Sequence, residues 1–262
     1  MVKAIIFDLD DTLLWDEKSV KEAFKATCQI AQEKYGIDPE KLEELVRKNA
    51  RELYSSYETY SFTQMIGINP FEGLWGNFND EGEDFAKMRE MAPGYRRDAW
   101  TKGLKEAGVD DPEFGQELAE TFPEKRKENA FLYEDTLQVL DDLKGKYQLL
   151  LLTNGSPELQ NIKLEISPEI PPYFDHIVIS GGFGKGKPDT SIFEHALELL
   201  GVEKEEALMV GDNLHTDILG AVRTGIPSVW INRKGAKRHH DIQPTYEIYR
   251  LSELMNVLKQ LA

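Results

Sequence analysis

The run Ala4-Ile5-Ile6-Phe7-Asp8-Leu9-Asp10-Asp11-Thr12 puts two carboxylates, one residue apart, at the end of an apolar stretch near the start of the chain. Continuous apolar residues bounded by polar ones read as a strand covered on both faces. Asp8 and Asp10 repel each other at that spacing, and a cation ordinarily settles such a pair. The strand end is therefore a candidate magnesium site and a candidate nucleophile, provided distant parts of the chain complete it.

Further short apolar runs follow the same pattern at residues 147–152, 176–179, 207–210 and 228–231, with a sixth at 246–249 before a closing helix from about Ser252. Each ends in a polar or glycine-containing turn. Between them lie helical stripes: Leu137, Leu140 and Leu143; Ile192, Phe193, Ala196, Leu197 and Leu200, stopping at Gly201; and Ile218, Ala221 and Val222 before Gly225. Strand–helix alternation of this kind predicts right-handed crossovers and an α/β, doubly wound, mostly parallel Rossmann-like sheet. Residues 15–134 differ. Apolar stripes such as Val20, Phe24, Thr27 and Ile30, then Leu42, Leu45 and Val46, then Trp100 and Leu104, then Phe114, Leu118 and Phe122 predict an all-helical insertion. Residues 68–84, rich in Gly, Asn and acids, read as a loop within it, with Phe71, Trp75 and Phe78 as core rather than lining. The expected organisation is a catalytic core of residues 1–14 and 135–262, with a helical cap at 15–134.

The chain has 262 residues, 40% hydrophobic and 30% charged, which describes a globular protein of one large or two modest domains. No apolar run approaches the ~20 residues of a membrane helix, and Asp8 interrupts the N-terminal one too early for a signal peptide. Lys and Arg total 31 against 47 acidic residues, a formal charge of −16, so the basic footprint of a nucleic-acid binder is missing. The basic stretch at 233–240 reads as a solvated loop. Cys28, the one cysteine, excludes an internal disulfide and a self-sufficient zinc site. It reads as a small buried hydrophobe, and a reduced, cytoplasmic setting is expected. His195, His215, His239 and His240 share no metal-ligand spacing, and the glycines at 181–186 lack the Walker pattern.

In parallel sheets, ligands bind beyond the carboxyl ends of the strands, near the point where strand order reverses. Asp8 and Asp10 follow the first run, Thr153-Asn154-Gly155 the second, and Gly211-Asp212-Asn213 the fourth, with Asp217 beyond. Lys187-Pro188-Asp189 lies in the loop after the third. In this order and spacing the four motifs resemble those of the haloacid dehalogenase (HAD) superfamily, in its subgroup with a helical cap inserted after the first strand. The resemblance spans the whole chain.

That resemblance implies a magnesium-dependent phosphatase acting on a small phosphorylated metabolite through an aspartyl-phosphate. It casts Asp8 as nucleophile and Asp10 as general acid and then base. Magnesium would take the Asp8 and Asp212 carboxylates and the Asp10 main-chain carbonyl. The phosphoryl group would meet the Thr153 hydroxyl, the Asn154 amide and Lys187, the last preferred to Lys185 because proline follows it. Around these stand Thr12 as a brace and Gly155 for close backbone approach. Asp217 either holds a metal-bound water, orients Lys187, or is simply an acid at a helix start; Asn213 supports the site or sits on the surface. A sugar phosphomutase would use the same residues, and a non-catalytic module could retain the fold. Dehalogenation of a 2-haloacid needs no second acid, so Asp10 speaks against it. The resemblance further implies closure of the cap over hinges near residues 14–17 and 131–135. A phosphate ester is the expected partner; neither nucleic acid nor membrane is. Substrate identity and oligomeric state are not written in these motifs.

Overall fold

The computed structural model describes residues 1–237 and 240–261; of the histidines above, His239 lies outside them. The chain forms two compact units, Met1–Trp15 with Phe131–Gly155 and Ser167–Ala262, and Asp16–Ala130 with Ser156–Ile166.

The first unit is built on six parallel strands: β1 (Ala4–Phe7), β2 (Gln148–Thr153), β3 (His176–Ile179), β4 (Ala207–Gly211), β5 (Ser228–Ile231) and β6 (Tyr246–Ile248), in the order β3-β2-β1-β4-β5-β6. All six expected strands appear, displaced at their ends by at most one residue. Continuous apolar stretches form these strands because both faces are covered. Ala4, Ile6, Leu150, Leu152 and Met209 pack on one side against Ile192, Phe193 and Ala196 of the Thr190–Leu200 helix, while Ile5, Phe7, Leu149 and Leu151 are equally buried. Strand order reverses between β1 and β4, so the carboxyl ends of β2, β1 and β4 lie side by side. Where the chain leaves and re-enters this unit, Leu14 bridges Leu132, and the Trp15 N–H donates to the Phe131 carbonyl at 2.8 Å.

The second unit is helical, and its starts are written in local chemistry. Asp38 and Asp111 accept from the amides of Glu40 and Phe114, each with proline at the next position, where a missing N–H costs nothing. Within the stretch expected to be loop, Asn69, Pro70 and Glu72 form a capping box that opens one helical turn at Pro70–Gly73, a correction to the sequence reading. Phe24, Trp100 and Phe122 pack at the centre with their rings tilted against one another, and Trp75 and Phe78 are buried with them, as core.

Ser156–Ile166, expected with the sheet, groups instead with the helices. Local capping signals end at Ser156, but polar partners from far away decide the packing. Ser156 Oγ donates to Asp80 Oδ2 at 2.6 Å, and Asp80 Oδ1 accepts from the Glu158 amide at 2.7 Å. Lys163 is buried between Glu72 at 3.0 Å and Asp16 at 3.8 Å, and Leu159 joins the aromatic core. Asp16 also meets Arg126 at 2.7 Å. Burial works against the Asp16 charge, but Lys163 and Arg126 outweigh it and hold the carboxyl below its ordinary range. No helix among the described residues is long and apolar enough to cross a membrane.

Two of the helices touch at Gly103, where an added Cβ would lie 2.6 Å from Val46 Cγ2 and 3.1 Å from the Val46 amide nitrogen. Gly103→Ala is expected to destabilise the protein by about 1–3 kcal/mol through overpacking. Urea unfolding measures this, and an unchanged midpoint would show that the helices do not pack as described.

Candidate active site

Asp8 emerges at the carboxyl end of β1, its amide donating to the Val210 carbonyl of β4 at 3.0 Å. Both of its carboxylate oxygens are held. Oδ1 accepts from Lys187 Nζ at 2.7 Å and Oδ2 from Thr12 Oγ1 at 2.9 Å. Lys187 Nζ in turn donates to Asp8 and to the Leu152 carbonyl at 2.7 Å, and it forms an ion pair with Asp217 Oδ1 at 2.7 Å. An ammonium can be buried only when satisfied in this way. Lys185 is half exposed and faces Asp189 at 3.4 Å, so Lys187 is the lysine that enters the site.

Thr12 is more than a turn residue. Its buried hydroxyl donates to Asp8 and accepts from the Asp212 amide at 3.1 Å, joining the ends of β1 and β4. Asn154 works through its side chain. Its Nδ2 donates to the Lys187 carbonyl at 2.9 Å while its Oδ1 accepts from the Lys187 amide at 2.8 Å, which fixes the base of the lysine. Thr153 is buried at the end of β2, and the Gly155 amide donates to Ser180 Oγ at 2.8 Å. Asp10 sits partly exposed, two residues past Asp8.

Asp217 is not a solvated acid at a helix start. It lies in a single π-helical turn, Leu214–Ile218, fully buried against Lys187, with its Oδ2 accepting from the Asn213 amide at 3.1 Å. The Asn213 side chain is exposed and caps that turn through the His215 amide. Carboxylate oxygens of Asp8, Asp212 and Asp217 fall within 4.8 Å of one another. Three acids against one lysine leave two negative charges in a buried space. Burial raises Asp8 to about 6 in spite of Lys187. Burial, together with Asp8, Asp217 and Asp11, pushes Asp212 up to about 9. The same burial works to depress Lys187, yet Asp217 and Asp8 outweigh it and keep the ammonium above its ordinary range. This oxygen-only set with unbalanced negative charge suits a hard divalent cation.

Several contributors were not visible beforehand. Gly211 belongs to a motif noted in the sequence, but its role is steric: an added Cβ would lie 2.3 Å from Asp217 Oδ2 and 2.6 Å from Asp217 Cβ. Trp230 Nε1 donates to the Asp212 carbonyl at 2.7 Å. Ser180 supports Gly155, and Arg233 donates to the Thr12 carbonyl at 3.2 Å. No spacing rule marks the last three.

Residues 2–225 match the family model for haloacid dehalogenase-like hydrolases. A phosphoserine phosphatase from Thermus thermophilus is 32% identical over 253 residues, 97% of this chain and 98% of its own. Two solved structures share the fold. One is a 2-haloacid dehalogenase from Pseudomonas syringae, 25% identical with a TM-score of 0.61 over 100% of both chains. The other is YfnB of Bacillus subtilis bound to magnesium, 25% identical with a TM-score of 0.65 over 98% of both.

Gly211→Ala is expected to push Asp217 off Lys187 and cost the site most of its function while leaving the sheet intact. Near-normal activity with normal folding would contradict the close approach. The raised carboxyls also set a pH dependence. A carboxyl whose folded pKa exceeds its unfolded value of about 4 stabilises the fold below that value and loses the contribution as pH climbs through the folded one. Kept free of divalent cations, the protein should therefore lose stability relative to Asp212→Asn as pH rises through about 6 and towards about 9. Parallel melting curves for the two proteins in chelator would contradict it.

Proposed function

Because the chain belongs to the haloacid dehalogenase-like hydrolases, we propose that it is a magnesium-dependent phosphatase that cleaves a small phosphate ester through an aspartyl-phosphate at Asp8. The observation that carries this reading is the buried Asp8 carboxylate, held on both oxygens beside Lys187 and within reach of Asp212 and Asp217. The phosphoserine phosphatase relative and the magnesium-bound fold neighbour support the reaction class and the ion. The fold neighbour that is a dehalogenase does not separate the two chemistries, and the presence of Asp10 favours the ester, whose leaving oxygen needs a proton.

Bound between the Asp8 and Asp212 carboxylates and the Asp10 main-chain carbonyl, magnesium would supply neutralising charge to the phosphoryl oxygens and the nucleophile. Lys187 adds a fixed positive charge that needs no rearrangement during reaction. Asp217 holds that charge in place, and Thr12 keeps the Asp8 carboxylate oriented. Thr153 and the Asn154 amide receive the phosphoryl oxygens. An Asp8 oxygen attacks phosphorus as the bond to the leaving oxygen breaks, and Asp10 gives that oxygen its proton. Asp10 then takes a proton from water, the water oxygen attacks phosphorus, and the bond to Asp8 breaks to release inorganic phosphate.

A panel of small phosphate esters with magnesium tests the proposal. Turnover of at least one ester is expected, lost in chelator and restored by magnesium. Asp8→Asn should lower it by at least about a thousandfold with the fold intact. Asp10→Asn should impair alkyl phosphates much more than p-nitrophenyl phosphate, whose leaving oxygen scarcely needs protonation. Metal-independent turnover, or an active Asp8→Asn, would refute the assignment.

A further inference from the structure

We propose that Arg233 is a positioning residue: stacked on Tyr133, it holds Thr12, and through Thr12 the relative placement of Asp8 and Asp212 toward a divalent cation. The inference rests on the phosphatase reading above and adds a residue that lies outside all four motifs.

The geometry runs from the turn after β5 to the loop after β1. Arg233 follows β5 by two residues, in a turn locked by Asn232. The Asn232 Nδ2 donates to the Ala236 carbonyl and to Glu247 Oε1, each at 2.8 Å, and its Oδ1 accepts from the Ala236 amide at 2.7 Å. From that base the guanidinium lies 3.6 Å from the centre of the Tyr133 ring and 3.8 Å from Asp135, and Nη2 donates to the Thr12 carbonyl at 3.2 Å. Tyr133 is itself tied to the chain's exit from β1, its amide donating to the Leu13 carbonyl at 3.3 Å. One side chain thus grips both the loop that carries the acids and the segment that returns to the sheet.

The loop needs an outside restraint. Asp11 adopts a left-handed φ of 58°, a conformation that costs a non-glycine residue energy and persists only where surroundings impose it. Thr12, the next residue, spends its hydroxyl on Asp8 and on the Asp212 amide, so its own carbonyl is the remaining handle. Asp212 is pinned from the other side by Trp230. A cavity of about 90 Å³ lined by Tyr133, Asp212, Trp230 and Arg233 lies among these groups, so truncating Arg233 would open space beside a candidate ligand rather than let the wall collapse. Lysine could replace the charge but not the flat stack with its directed donor.

The test compares wild type with Arg233→Ala, Arg233→Lys and Tyr133→Leu in three measurements: magnesium titration calorimetry without substrate, kcat and KM on p-nitrophenyl phosphate, and thermal unfolding. Loss of a residue that orients metal ligands ordinarily costs about 10–100-fold in metal affinity or activity. For Arg233→Ala that loss is expected in kcat and in magnesium affinity, with KM within about twofold and cooperative unfolding retained. Arg233→Lys should recover neither, and Tyr133→Leu should show a smaller loss of the same kind. Wild-type kcat and magnesium affinity in Arg233→Ala would overturn the proposal, as would full recovery in Arg233→Lys. Should Arg233→Ala not fold, unchanged values in Tyr133→Leu overturn it. A wild type that binds magnesium but cleaves no ester would sink the phosphatase reading alone, leaving the calorimetry to judge Arg233; one that binds no magnesium sinks both.

Discussion

A single ammonium, shut away from water, holds three strand ends together. Lys187 reaches the acid after β1, the Leu152 carbonyl near the end of β2 and the acid beyond β4, through two hydrogen bonds and an ion pair. A buried charge of this kind is costly to desolvate, and removing any one partner would leave the others uncompensated. The consequence is geometric as much as energetic. Asp8 cannot turn away while Lys187 and Thr12 hold its two oxygens, and Asp217 cannot leave while Gly211 offers it room and Lys187 a counter-charge. Everything the site can do follows from that mutual restraint. The arrangement also carries an excess of negative charge that the fold itself does not neutralise, visible in the raised Asp8 and Asp212 carboxyls. Carboxyls perturbed by burial and by like charges are a usual feature of functional sites.

The sheet was legible because parallel strands buried on both faces have to be continuously apolar. Runs such as Ala4–Phe7 and Ala207–Gly211 permit little else. The positions of Asp8, Lys187 and Asp212 were legible for a related reason. Strand ends at a reversal of order are where polar groups can face a ligand, and the resemblance of the four motifs to a known family named them. What stayed hidden depends on contacts between residues far apart in the chain. Whether Pro157–Glu165 packs on the sheet or on the helices turns on Asp80, Glu72 and Asp16, none of which marks its own partner. Asp217 could also be read as an acid at a helix start, because only its π-helical turn and the missing side chain at Gly211 carry it into the interior. Arg233 lay in a basic stretch that reads as solvated loop, and its stacking on Tyr133 has no local signature.

The polar groups also divide by the distance over which they act. Asp8, Lys187 and Asp212 bear the charges. Thr12, Asn154 and Trp230 contribute no net charge, yet each fixes the backbone of a charged neighbour through a hydrogen bond near 3 Å. Phosphoryl transfer asks little covalent chemistry of a protein beyond a nucleophile and depends on positioning and preset electrostatics. A neutral brace can therefore matter as much as a charged one. That is why the supporting residues are dispersed over β1, β2, β4 and β5 rather than gathered in one motif.

The central claim is that Asp8 becomes covalently phosphorylated. Rapid acid quench of the protein during turnover of a phosphate ester with magnesium, followed by peptide mass spectrometry, addresses it directly. A phosphoryl adduct on the peptide containing Asp8, removed by hydroxylamine, is the result expected here. Turnover with no adduct at any quench time, or an adduct on a different side chain, would contradict it.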